Sequence, residues 1–140
     1  VKTLDPLKGM KLELLIPGSN VEDISALKGM QLETLAFQNS RVKDISALKG
    51  MPLNYLNLNN TKVSDISPLA GAPLKTLYLM NCRNIKDLSP LKSCKKLETL
   101  VIPVNIQDIE VLKQLPSLKF LNYKMVKKNA EEFFREHRKD

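Results

Sequence analysis

The chain has 140 residues, of which 43% are hydrophobic and 26% charged, with a formal net charge of +7. This length suits one domain, residues 1–140, and the hydrophobic fraction is ordinary for a globular core. No apolar run approaches the ~18 residues needed to span a bilayer. The positive charge permits an acidic partner without requiring nucleic acid, and two cysteines are too few for a disulfide framework or a zinc set.

A unit of about 21 residues recurs across residues 2–123. Each unit opens with a motif of the form Asp-Ile-Ser-x-Leu. Its second position, always apolar, recurs as Leu4, Ile24, Ile45, Ile66, Leu88 and Ile109. A leucine three residues later recurs as Leu7, Leu27, Leu48, Leu69, Leu91 and Leu112. Self-similarity at a fixed period predicts a stack of like units rather than a single closed core.

The second half of each unit reads as a short strand. In Leu53–Leu58 the leucines at 53, 56 and 58 face one way, whereas Tyr55 and Asn57 alternate to the other side. Period-two alternation predicts a strand with one buried face. The leucine that opens the strand recurs as Leu12, Leu32, Leu53, Leu74, Leu97 and Leu118. Identical strands in successive units are expected to pair in parallel, about 4.8 Å apart.

The first half of each unit is too short for a full helix. Ser67-Pro68 and Ser89-Pro90 suggest a serine N-cap followed by proline at the first helical position. Glycines are expected to end the turn, at Gly9, Gly29, Gly50 and Gly71. We therefore predict one helical or 3-10 turn on the outer face of each unit.

The pattern Leu-x-x-Leu-x-Leu, followed by Asn, Cys or Thr and then Val or Ile, resembles the leucine-rich repeat signature. The Asp-Ile-Ser-Pro-Leu phrase is similar to the short bacterial, internalin-like subclass. The resemblance implies an α/β solenoid, curved and right-handed, with six parallel strands on its concave face and short helical or 3-10 turns on its convex face. The asparagine-ladder position holds mixed residues, which predicts a weak ladder: Asn20, Ser40, Thr61, Cys82 and Asn105.

Residues 124–140 break the pattern and are expected to form a C-terminal capping helix. Asn129 and Glu132 have the spacing of a capping box, and Phe133, Phe134 and His137 fall on one helical face. This ending also resembles the leucine-rich tails of large bacterial multidomain proteins, some of them Ser/Thr kinases. Because the chain opens partway into a repeat, we expect either a fragment of a longer protein or a processed terminus.

Catalytic motifs are absent from the sequence. It contains one histidine, no Gly-rich phosphate loop and no metalloprotease or redox motif, so we expect neither an enzyme nor a cofactor. The repeated aspartates are expected to bind local backbone N–H groups rather than calcium: Asp23, Asp44, Asp65, Asp87 and Asp108. Cys82 and Cys94 are expected to be reduced, buried thiols.

A column of lysines, broken at Ala70, recurs on the outer or edge surface: Lys8, Lys28, Lys49, Lys92 and Lys113. A solvated stripe explains it most simply. The alternative is an electrostatic strip for an acidic protein, nucleic acid or an anionic surface. No aromatic residue interleaves with the column, which argues against single-stranded nucleic acid.

The outward strand positions carry no charge in their two main rows. They hold Tyr, Phe, Thr and Asn instead, a composition typical of an interface core. Tyr55 and Tyr78 stand in adjacent units and are expected to form one patch. The candidate binding residues are Thr34, Tyr55, Asn57, Asn59, Thr76, Tyr78, Met80, Thr99, Val101, Phe120 and Asn122.

These patterns favour a non-catalytic module that binds a protein or peptide on its concave sheet. One alternative is an appended targeting or regulatory domain of a larger bacterial signalling protein. The other is electrostatic binding through the lysine column. We expect a monomer, although the open strand edge of the first unit offers a route to self-association.

Overall fold

A computed structural model describes residues 2–10, 13–123 and 126–136. Its single sheet follows chain order, with six parallel strands and a seventh that is antiparallel. The strands are Leu14–Leu15 (β1), Thr34–Ala36 (β2), Tyr55–Asn57 (β3), Thr76–Tyr78 (β4), Thr99–Val101 (β5), Phe120–Tyr123 (β6) and Val126–Asn129 (β7). The six predicted parallel strands are confirmed. In the described ranges, no helix is long and apolar enough to cross a membrane.

The register of the sheet equals the repeat of the sequence. Tyr55 pairs with Thr76, and Leu56 pairs with Leu77, at the same position one unit later. Since neighbouring parallel strands match position for position, β2 to β6 bury the same leucine. Leu56 and its equivalents in the units from β2 to β6 are fully buried. A slip of one residue would move these leucines to solvent, so the pattern specifies the register strongly.

Short 3-10 turns face away from the sheet, as predicted. They are Asp5–Leu7, Ser25–Leu27, Ser46–Leu48, Ser67–Leu69, Ser89–Ser93 and Glu110–Gln114. Two residues after each of the first four turns stands a glycine with φ between +75° and +80°, a conformation that side chains with a Cβ rarely adopt. The last two units lack this glycine, and there the turn runs on to five residues.

The serine N-cap prediction was wrong. Ser67 is the first residue of its turn, and the flanking Ile66 provides no side-chain cap. Instead, Oδ1 of Asp65 accepts the Ser67 backbone N–H at 2.8 Å. The same bond recurs in four other units, from the residues two positions after Asp23, Asp44, Asp87 and Asp108. These bonds confirm the expectation that the aspartates bind local N–H groups. The physical reason is that a short carboxylate readily reaches the backbone N–H two residues on.

The core lies between the sheet and the outer turns. In the third unit, Ile45 and Leu48 from the turn meet Leu53, Leu56 and Leu58 from the strand half, all essentially fully buried. The cluster is continuous from Leu4 to Phe133. Because no unit encloses its own apolar side chains, each depends on its neighbours for burial.

The asparagine ladder lies one residue earlier than predicted. Asn39, Asn60 and Asn81 all have a positive φ of 59–62°. Nδ2 of Asn60 donates to Oδ1 of Asn39, and Nδ2 of Asn81 donates to Oδ1 of Asn60, each at 2.8 Å. Asparagine tolerates this left-handed backbone better than most residues. The polar edge of these three units is therefore bonded, not weak.

The row where the ladder was expected is buried in the middle units. Thr61 Oγ1 donates to the Leu58 carbonyl at 2.8 Å, and the Cys82 thiol donates to the same oxygen at 2.9 Å. Cys82 and Cys94 are both buried and free, as expected. Burial raises the pKa of each thiol, which keeps both protonated and unreactive.

The C-terminal end of the stack is closed by β7 and a helix, α1 (Ala130–Glu136). The backbone N–H of Glu132 donates to Oδ1 of Asn129 at 2.7 Å, which is one half of the predicted capping box. The second contact joins the two side chains, from Nδ2 of Asn129 to Oε2 of Glu132 at 3.4 Å. Phe133 is buried and meets Phe134 edge to face, with ring centroids 5.5 Å apart. The strand β7 was not predicted. His137, expected on the same helix, lies outside the described residues.

The first unit is the more open end. Leu14 is 54% exposed and Ile16 is 64% exposed. Leu7 and Leu15, which face the core, are also only partly buried. Within the described residues β1 pairs with β2 alone. Self-association through this edge stays a prediction.

Replacing Leu56 with aspartate is expected to prevent folding. The change removes a buried leucine worth about 1.5–3 kcal/mol and places an unpaired carboxylate in the core. Asn57→Asp is the matched control, because it adds the same carboxylate to the next residue on the exposed side of β3. Circular dichroism and urea titration should show an unfolded Leu56→Asp and a folded Asn57→Asp. Two folded variants would contradict the assigned core.

Candidate binding surface

The concave surface is made of the outward side chains of β2–β6 and of the loops that follow β3 and β4. One row pairs Thr34, Tyr55, Thr76, Thr99 and Phe120 across successive strands, and the next pairs Ala36, Asn57, Tyr78, Val101 and Asn122. Asn59 and Met80 lie beyond the second row. All eleven candidate residues are at least partly exposed, with Phe120 reaching 45%. Ala36, in the second row, is buried with 6% of its surface exposed. Pro103, which follows β5, is also buried.

Tyr55 and Tyr78 form an edge-to-face pair, as predicted. Their ring centroids are 5.7 Å apart and the rings are inclined by 82°. The two residues stand on adjacent strands, one row apart, so their contact runs diagonally across the sheet. This geometry sets the positive ring edge against the negative ring face and holds both rings in place.

Asn57 and Asn59 serve the scaffold as well as the surface. Oδ1 of Asn57 accepts the backbone N–H of Asn59 at 3.0 Å, and Oδ1 of Asn59 accepts that of Met80 at 2.7 Å. The second bond links adjacent units and holds the backbone from which the Met80 side chain extends. In the described part of the chain, the two Nδ2 groups have no hydrogen-bond partner. They are therefore available as donors to a ligand.

A pocket of about 260 Å³ opens on this surface above β4, β5 and β6. Side chains of Tyr78, Met80, Val101 and Phe120 form its apolar walls, and the β5 and β6 backbone lies beneath. Asn59, Thr99 and Asn122 supply polar groups at its margin. The sequence predicted that these residues share one face of the sheet, but it did not predict the pocket. The pocket depends on the relative sizes of side chains on three neighbouring strands.

Charged residues flank the concave surface without entering its rows. Along the rim that precedes the strands, Nδ2 of Asn54 contacts Oε2 of Glu33 at 3.5 Å. Lys119 pairs with Glu98 at 3.1 Å. Lys75 stands between these two pairs, directly before β4, and forms no ion pair with any described residue. Lys75 was not among the residues predicted from the sequence, although its place in the repeat, one residue before Thr76, was the available signal.

The aspartate column has the character of a structural feature. Among the described residues, no group of His, Cys, Asp or Glu side chains is arranged to hold a metal ion. The backbone N–H of the serine two residues on holds the pKa of Asp23, Asp44, Asp65 and Asp87 below its ordinary value of 3.8. Each carboxylate is thus charged at neutral pH and already engaged.

The lysine column lies beside the outer turns, away from the concave surface. Lys28 and Lys49 follow directly after their turns and are exposed. Lys113 pairs with Glu110 at 3.0 Å. Its use as an electrostatic strip stays a prediction.

The lowered pKa values predict a loss of stability in acid. A carboxyl whose folded-state pKa is lowered stabilises the fold above its unfolded pKa, which is close to the ordinary value of 3.8. This contribution disappears as the pH falls through the folded value. Replacing Asp23, Asp44, Asp65 and Asp87 together with Asn keeps an oxygen acceptor but removes the charge.

The measurement is the urea midpoint at neutral pH and at about pH 2.5, well below the unfolded pKa. The midpoint of the four-fold variant is expected to fall less in acid than that of the unaltered chain. Asp5→Asn, at a carboxyl that accepts no such N–H bond, is the control for the substitution itself and is measured at the same two pH values. Equal falls in the unaltered chain and the four-fold variant would contradict the assignment.

No protein-family model matches the sequence, and no curated protein matches it. Solved structures do. An internalin of Listeria monocytogenes, encoded by inlF, is 32% identical over 74% of this chain and 33% of its own, with a TM-score of 0.68. Internalin C2 of the same organism is 28% identical over 89% of this chain and 57% of its own, with a TM-score of 0.76.

The chain thus spans a third of one internalin structure and just over half of the other. Both likenesses extend through most of its own length. They support a repeat module for protein interaction, without showing its partner. The chain is a leucine-rich repeat solenoid built from internalin-like repeats.

Proposed function

We propose that this chain is a non-catalytic interaction module that binds a protein or peptide on its concave surface. The observation that carries the proposal is compositional. In a chain that is 26% charged, the two strand rows described above hold no charged side chain and concentrate Tyr55, Tyr78 and Phe120. Charge depletion with clustered aromatic residues distinguishes the centre of an interface from the rest of a protein surface.

The scaffold lowers the entropic cost of binding at this surface. Its side chains rise from strands that are hydrogen-bonded on both sides, and the two tyrosine rings already hold each other. Tyrosine offers a large amphipathic contact area with only two side-chain torsions to restrain. A partner therefore meets a surface that is largely ordered before contact, which favours affinity.

The size of the surface favours a peptide or a protruding loop. The five strands β2–β6, at about 4.8 Å spacing, span about 19 Å, and three outward rows span about 13 Å along the strands. That projected area, about 250 Å², is well below the about 800 Å² that each partner buries in a standard interface. A flat protein face would have to contact the rims as well.

The chemistry of the described residues supports a non-catalytic role. Local N–H groups lower the pKa of four aspartates, and burial raises the pKa of two cysteines. Neither kind places a group near neutral pKa inside a cleft, as general acid–base catalysis requires. The interpretation as a domain appended to a larger bacterial signalling protein stays a prediction, which the full-length coding sequence tests.

The tyrosine pair provides the direct test. Tyr55→Ala/Tyr78→Ala is expected to weaken binding to the module's protein partner by more than about tenfold, because buried aromatic anchors dominate interface energies. The partner is first identified by crosslinking and mass spectrometry, and its affinity for the purified module is then measured by calorimetry.

Lys28→Ala/Lys49→Ala is the matched control, with two exposed side chains removed from the outer surface. Circular dichroism melts confirm that both double variants fold. If the lysine variant loses affinity and the tyrosine variant keeps it, the concave surface is not the site, and electrostatic binding through the lysine column takes its place.

A further inference from the structure

We infer that the partner of the concave surface is a peptide segment carrying a bulky apolar side chain next to an acidic residue. The apolar side chain fills the pocket between Tyr78, Met80, Val101 and Phe120, and the carboxylate meets Lys75. This inference rests on the proposed function and adds the chemistry of the partner.

The pocket has the volume of a side-chain site. Its 260 Å³ is smaller than the about 300–1,000 Å³ typical of sites for small molecules. One large residue, such as Phe, Leu or Met, occupies a space of this order. The pocket therefore suits a single anchor of a polypeptide better than a free metabolite.

Two contacts from neighbouring units hold the pocket walls. The Tyr55 ring packs against Tyr78 at 5.7 Å, and the Asn59 side chain binds the Met80 backbone at 2.7 Å. The thioether of Met80 remains able to adjust to the shape of the anchor, since methionine has flexible torsions and a polarizable sulfur. Phe120 is 45% exposed and offers apolar area to cover.

The polar groups around the pocket match a neutral main chain. Thr99 and Asn122 line the pocket, and Thr76 is the partner of Thr99 on the adjacent strand. None of these three side chains forms a hydrogen bond with any described residue, and each is partly exposed. Threonine hydroxyls and an asparagine amide both donate and accept, so they can pair with the N–H and C=O groups of an extended segment. The walls themselves offer no counter-charge, and a charged anchor would be buried there at high cost.

Lys75 supplies the acidic preference. Its backbone is fixed by bonds to both neighbouring units, from its N–H to the Asn54 carbonyl at 2.8 Å and from the N–H groups of Glu98 and Thr99 to its own carbonyl at 2.9 and 3.0 Å. The rim residues on either side are occupied in the Glu33–Asn54 and Glu98–Lys119 contacts. Lys75 is thus the cation beside Thr76 that a partner's carboxylate can reach, and the net charge of +7 favours the approach of such a segment.

The two parts of the motif are expected to contribute unequally. An exposed ion pair changes affinity by about fivefold at most. A filled apolar pocket at an interface centre accounts for more than about tenfold. The apolar anchor therefore determines whether a segment binds, and the acidic neighbour ranks the segments that do.

A random 12-residue peptide library displayed on phage, selected on the folded chain, tests this inference. Enriched sequences are expected to share a large apolar residue with Asp or Glu within two positions, and to be lost when the bait is Val101→Arg, whose side chain fills the pocket. Met80→Ala, which widens the pocket, is the second bait and is expected to weaken binding by about tenfold. Enrichment of basic or wholly polar sequences would overturn the inference.

The affinity of one enriched peptide, measured by fluorescence polarisation, separates the two proposals. Lys75→Glu should weaken it by about fivefold at low salt, whereas Lys28→Glu and Leu14→Arg, remote from the pocket, should leave it unchanged. If Tyr55→Ala removes binding while Val101→Arg, Met80→Ala and Lys75→Glu do not, this inference fails and the concave surface stands. If none of these changes matters, both proposals fail.

Discussion

Every other feature of this structure depends on the match between the sequence period and the register of parallel pairing. A unit of about 21 residues returns the chain to the same height one strand further along, so that Leu56 meets Leu77 and Asn60 meets Asn81. Burial, sheet hydrogen bonds and the side-chain ladder then recur together. Because each unit is enclosed only by its neighbours, stability accumulates along the stack rather than around a single centre.

This division also separates scaffold from function. Inward positions are constrained by burial and by the ladder of amides, while outward positions on the same strands are left free. Tyr55 and Leu56 are adjacent in the chain, yet one belongs to the binding surface and the other to the core. Asn59 belongs to both. Its side-chain Oδ1 accepts the Met80 N–H of the next unit, while its Nδ2 is left without a partner among the described residues. A uniform scaffold thus presents a surface that varies without disturbing the fold.

Repetition made most of the fold predictable. Six occurrences of one pattern identified the strands, the outer turns, the register and therefore the contact of Tyr55 with Tyr78. The sequence was a poorer guide where the structure departs from the pattern. β7 has no apolar alternation to signal it, being formed by Val-Lys-Lys-Asn against the last parallel strand. The ladder was misplaced by one residue because Ser40, Thr61 and Cys82, which can also form hydrogen bonds, directly follow the ladder residues. The left-handed backbone at Asn39, Asn60 and Asn81 distinguishes the two positions.

The binding surface was predictable in its rows but not in its relief. Alternation identifies which side chains leave the sheet, and register places them beside one another. The depression at Tyr78 and Phe120, and the burial of Ala36, depend on relative side-chain sizes across three strands, which a single-strand pattern does not contain. Lys75 likewise lacks an ion pair with any described residue because Glu33 contacts Asn54 and Glu98 pairs with Lys119.

Deleting one complete unit tests the central claim most directly. Removal of residues 44–64 joins units in register, with Thr34 set beside Thr76 and Asn39 beside Asn81. The shortened chain is expected to fold with the same circular dichroism per residue and one cooperative urea transition, at lower stability and with a smaller denaturant slope. Removal of residues 44–53, about half a unit, should abolish the transition. A shortened chain that fails to fold after the full-unit deletion, or one that tolerates both deletions equally, would contradict the account.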